Sequence, residues 1–163
     1  MMRIVIFLCF LIPIKVFSTE AVTAQDVGAL YIYQVKADIN EVKSAIEMAI
    51  VNQGLLISNT LHLSDMLNRT GQELGFTTPV YQFAEAVEFC SAKLAHQMAQ
   101  LHPANLATCP LTISFYTTPD DNKMVSIAFR KVQLIGESAT VTAVSQAVTQ
   151  LLKTIIDEAI DGL

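Results

Sequence analysis

Apolar residues recur along this chain with two periods, and each switch between them marks an element boundary. Residues 30–36 (LYIYQVK) are short and β-rich, and Asp38 followed by Glu41 is a capping-box-like helix start. Ile39, Val42, Ile46, Ala49 and Ile50 then fall at helical spacing until Gly54 stops them. A second apolar run, residues 55–61, predicts a strand. Leu63, Met66, Leu67, Thr70 and Leu74 predict a helical stripe ending at Gly75. Residues 79–89 alternate, with Tyr81, Phe83, Val87 and Phe89 on one face and Gln82, Ala84, Ala86 and Glu88 on the other. Ser91 caps a short helix predicted to reach Leu101. Two further alternating runs, 110–117 and 123–130, flank Thr118-Pro119-Asp120-Asp121-Asn122, whose residue types suit a hairpin loop and so predict antiparallel pairing. From 140 to 160, Val141, Val144, Val148, Leu151, Leu152, Ile155, Ile156 and Ala159 make the longest amphipathic helix, which needs a sheet to cover. The order predicts an α+β domain, an antiparallel β-sheet packed by helices mainly on one face.

Ahead of this domain the pattern changes. Residues 1–18 (MMRIVIFLCFLIPIKVFS) join a basic Arg3, an apolar run over 4–14 too short to span a bilayer, and Val16-Phe17-Ser18 in the manner of a cleavage site. They predict a signal peptide cut after Ser18, a linker over 19–29 and one α+β domain over 30–163, exported and working in the bacterial periplasm with no stable membrane insertion after cleavage. Cleavage removes the basic Arg3 and Lys15, making the net charge of −5 more negative by two. Arg130 and Lys131 are the one adjacent basic pair, and no basic stripe interleaves with aromatics, so nucleic acid is excluded as a partner.

Cys9 leaves with the leader, and the mature chain keeps Cys90 and Cys109. Neither sits in a Cys-x-x-Cys motif, which disfavours thioredoxin-like chemistry and c-type haem attachment. If Cys90 closes one strand and Cys109 opens its antiparallel neighbour, the two meet at one sheet edge, within the roughly 6 Å Cα separation that a disulfide requires. A structural bridge there contributes about 3 kcal/mol. A bridge is expected, with a redox-active or metal-binding pair and two buried free thiols as the other readings.

The blocks Ala84-Glu85-Ala86-Val87-Glu88-Phe89-Cys90-Ser91-Ala92, His102-Pro103-Ala104-Asn105-Leu106 and Cys109-Pro110-Leu111-Thr112-Ile113 resemble domain of unknown function 302. The segment His62-Leu63-Ser64-Asp65-Met66-Leu67-Asn68-Arg69-Thr70-Gly71 is similar to one in its secreted bacterial branch. The resemblance implies a TATA-binding-protein-like order of strand, helix, four strands and helix, β-α-β4-α, with two short inserted helices. This chain departs from the family pattern at His102, where an aspartate tends to precede the proline, and at Leu111, where an aromatic often follows Cys-Pro. The family carries no settled activity, so the resemblance speaks to fold more than to chemistry.

Three side chains are candidates for chemistry. His62 and Met66, four apart, share a helical face if the helix has begun by His62, and imidazole with thioether is a soft donor set for copper or haem iron. Met66 also fits a core stripe with Leu63, Leu67 and Leu74. Glu85 is the polar residue on the Tyr81, Phe83, Val87, Phe89 face, where a carboxylate needs a partner, Arg130, Lys131 or Tyr116, or else a proton. His96 points away from its helix's apolar stripe and His102 lies in a loop. No nucleophile, oxyanion hole, Gly-rich phosphate loop or zinc spacing accompanies them, and no catalytic residue is assigned. The expected function is a small exported, non-enzymatic binding domain for an apolar or cofactor-like ligand. The alternative is a haem- or copper-binding redox accessory protein using His62 and Met66; an enzyme centred on Glu85 comes third. The sheet face bearing Gln82, Ala84, Ala86, Thr112, Ser114, Met124, Ser126 and Ala128 is small and weakly polar, which predicts a homodimer through it.

Overall fold

The computed structural model describes residues 22–163, and the expected signal peptide, 1–18, lies outside them. Strand β1 (Gln25–Val27) turns through Gly28, at φ +57°, into β2 (Leu30–Lys36). Helix α1 (Ile39–Asn52) starts where Asp38 accepts hydrogen bonds from the backbone N–H groups of Asn40 and Glu41, and it buries Val42, Ile46, Ala49 and Ile50. Strand β3 (Ile57–His62) runs directly into α2 (Leu63–Gly71), a loop leads to β4 (Phe83–Phe89), and α3 (Ala92–Leu101) with a 3₁₀ turn (Pro103–Thr108) leads to β5 (Leu111–Thr117). β6 (Met124–Arg130) and α4 (Ala139–Asp161) complete the chain.

The six strands form one antiparallel sheet in the order β1-β2-β6-β5-β4-β3. The α+β class, the antiparallel sheet and the β-α-β4-α order with two inserted helices follow the sequence reading. α1 and α4 lie against each other over the sheet, and the core between them holds Tyr33, Phe89, Ile113, Phe115, Ile127, Leu152, Ile155 and Ile156. Large aromatic and branched side chains fill that layer, which is what the strand and helix periods demand when each apolar stripe has one partner.

Four expectations are corrected. The supposed linker over 19–29 supplies β1, three exposed residues too short to show alternation. The helix expected to reach Gly75 ends at Gly71, and its stripe is not core: Met66, Leu67 and Leu74 are exposed, because no neighbouring element covers that side of α2. Tyr81 lies before β4 and packs edge-on against Tyr116, which pairs with Ala84 on the sheet's other face, so it does not belong with Phe83. The residues around His102 are not plain loop but the junction of α3 with the 3₁₀ turn, where the imidazole Nδ1 accepts from the N–H of Ala104. That is the capping role a carboxylate would fill at this position.

Candidate functional site

Alternation along β4 forces Glu85 onto the helix-covered face between Phe83 and Val87, where it is 5 % exposed. Its carboxylate has two partners. Lys43 follows the buried Val42 on α1, so its stem runs along the junction of helix and sheet and its Nζ donates to Glu85 Oε2 at 2.6 Å. His62, the last residue of β3, stands opposite Glu85 in the strand register, and its Nδ1 lies 2.6 Å from Oε1. Two close bonds, one of them from the Lys43 ammonium, offset the cost of burying the carboxylate. The partners expected from sequence are not used: Arg130 and Tyr116 are on the other face, and Lys131 pairs with Asp26.

With both oxygens engaged, Glu85 is a poor general acid or base and a good orienting group. A carboxylate accepting from Nδ1–H leaves the Nε2 lone pair of His62 free, on a side chain 58 % exposed. Met66 follows one turn later on α2 and is 43 % exposed. Among the described residues, no three of His, Cys, Asp and Glu converge as a metal-binding group. His96 is exposed on α3, as expected.

Beside this triad lies a groove that sequence reasoning missed. The Gly71 carbonyl accepts from the N–H groups of both Leu74 and Phe76, at 3.1 and 2.8 Å, which ends α2 and folds the following loop back against it. A Cβ at position 71 would sit 2.9 Å from the Phe76 carbonyl oxygen, so only glycine permits the approach. The space between α2 and the returning loop is about 480 Å³, lined by Ser64, Leu67, Leu74, Phe76, Val80 and Tyr81 among others. Leu74, Phe76 and Val80 are 69, 73 and 66 % exposed. The available signal was Phe76 standing in a Gly- and Pro-punctuated stretch with no strand or helix period to absorb it, while Val80 fell in the run over 79–89 whose strand begins only at Phe83.

Cys90 and Cys109 flank the excursion through α3 and the 3₁₀ turn, and their sulfurs lie 2.9 Å apart at the sheet end away from His62. Five residues of strand separate Glu85 from Cys90, roughly 17 Å. Burial, with the adjacent Cys90 adding to it, pushes the Cys109 thiol up to about 12. Buried Asn105 braces the excursion, donating to the Met98 carbonyl and accepting from the Ile135 N–H.

The family described as domain of unknown function DUF302 matches residues 31–159. The crystal structure of an uncharacterized conserved DUF302 protein from Bacillus stearothermophilus is similar, with a TM-score of 0.66 and 16 % sequence identity, over 82 % of this chain and 99 % of that one. At that identity the likeness speaks to the fold. No curated protein matches this chain in sequence.

Proposed function

We propose, for a chain that belongs to the DUF302 family, the role of a small exported, non-enzymatic binding domain that holds an apolar small molecule in the groove between α2 and residues 72–81. One observation carries the reading: Leu67, Leu74, Phe76 and Val80 are turned out of the core around a concave space of about 480 Å³, a size typical of small-molecule sites. Asn68, Gln72 and Thr78 in the groove's lining give such a ligand polar groups to meet. Titration of the chain beginning at Thr19 with an environment-sensitive apolar dye is expected to give one saturable site, lost in Phe76→Asp and Val80→Asp. Equal binding by both variants would refute the assignment. Mass spectrometry of the exported fraction should find Thr19 as the first residue.

The second reading, copper or haem at His62 and Met66, has its own support in the Glu85 bond to Nδ1, which presents Nε2 outward as outer-sphere carboxylates do for ligating histidines. His62→Ala then abolishes uptake, and Met66→Leu weakens it and alters the absorption spectrum. Full uptake by His62→Ala protein ends that reading.

A further inference from the structure

The groove between α2 and residues 72–81 is walled without a fixed charge. Helix α2 turns Ser64, Leu67, Asn68 and Gly71 to it, at i, i+3, i+4 and i+7, and carries Asp65, Met66 and Arg69 around its other sides. From the returning loop come Phe76, Val80 and Tyr81, while Glu73, the one acidic residue of that loop, stays out of the lining. None of the lining residues is a lysine, arginine, histidine, aspartate or glutamate. Lys43 and His62 are held by Glu85 and do not line the groove either. The polar groups that remain are neutral, and some are already spent: the Ser64 hydroxyl donates to the Ala84 carbonyl and the Thr70 hydroxyl to the Met66 carbonyl. Asn68, Gln72 and Thr78 are exposed, and their amides and hydroxyl both donate and accept.

We infer that the groove selects uncharged ligands: a molecule with an apolar body and one neutral head, a carboxamide or a hydroxyl, and not the carboxylate of the same skeleton. The inference rests on the groove reading given above and adds the ligand's charge to it. The body lies against Leu67, Phe76 and Val80, and the head meets Asn68, Gln72 or Thr78. A carboxylate of the same shape gives up part of its water on entry and finds neutral donors but no counter-ion, so its charge stays uncompensated. The chain's net charge of −5 adds repulsion at longer range. Most of the lining is exposed, so water still reaches one side of the ligand and limits the discrimination to about tenfold in affinity, well short of what a closed cavity would impose.

Naphthamide and naphthoate, equal in size and different in charge near neutral pH, make the test pair, titrated calorimetrically into the chain beginning at Thr19. Naphthamide should bind about tenfold more tightly than naphthoate, and Phe76→Asp should abolish its binding. Asn68→Lys, which sets an ammonium in the lining, should strengthen naphthoate about tenfold and so close the gap, an effect that added salt weakens. Equal affinities in the wild type, tighter binding of naphthoate, or a preference for naphthamide that Asn68→Lys leaves untouched would overturn the inference. So would the failure of both naphthalenes to bind a protein that takes up the apolar dye in a Phe76-dependent way, and in each of these cases the groove reading itself survives. Absence of saturable dye binding as well would end both.

Discussion

A carboxylate with both oxygens occupied makes Glu85 a residue whose loss the structure tolerates poorly. Glu85→Gln keeps the shape, removes the charge and leaves Lys43 partly buried without its counter-ion. The expected cost is about 2 kcal/mol, read from the urea midpoint. Lys43→Met should cost at least as much, since it leaves the more deeply buried carboxylate without its counter-ion, and His62→Ala least, because that ring is mostly in water. Glu85 itself was legible from sequence because alternation along one strand is local information. Lys43 was not: it lies 42 residues away, and nothing in a helical stripe says which flanking lysine will reach over the sheet. Cys109 supplies the pH prediction. Its thiol is held up to about 12 from an ordinary 9.0, so the reduced folded state keeps a proton that the unfolded chain gives up first. Stability of the reduced protein is therefore complete below about pH 9 and falls as pH rises toward 12, which thermal melts across that window will show. At neutral pH iodoacetamide should modify Cys90, which is exposed, well before Cys109.

Among the elements, the excursion from β4 to β5 matters most for stability. α3, the 3₁₀ turn and the Asn105 brace form a flap whose two ends meet at the cysteines. We expect oxidation to link Cys90 to Cys109 and to stabilise the fold by about 3 kcal/mol. Non-reducing peptide mapping checks the link, and denaturation with and without reductant checks the size. Elements with their own start and stop signals were readable: Asp38, Ser91 and the Asp121 side chain, which accepts from the N–H groups of Lys123 and Met124, all do what their positions suggest. α2 was misread for a physical reason. Helical periodicity reveals that one face is apolar, and only the rest of the fold decides whether anything covers it. β1 escaped because three residues paired to a neighbour carry no period at all.

For the molecule as a whole, the class and the order of elements along the chain followed from the count of elements and the hairpin between β5 and β6, while the site did not, since the Glu85 cluster is built by contacts between distant segments and the groove by a loop with no period of its own. No helix among the described residues is long and apolar enough to cross a membrane. The sheet order has one more consequence, in time. β3, β4, β5 and β6 are neighbours in sequence as in space, but β2 pairs with β6, Leu30 against Arg130. Closing that pairing means closing a loop on the order of a hundred residues, against a loop entropy that the local hairpins never meet. Pulse-labelling hydrogen exchange during refolding should protect the amides of β4 and β5 before those of β2. A chain released from its N-terminal end thus presents β2 long before β6 and completes that pairing last, and for that interval the β2 edge that β6 will cover is open to any other unfolded strand.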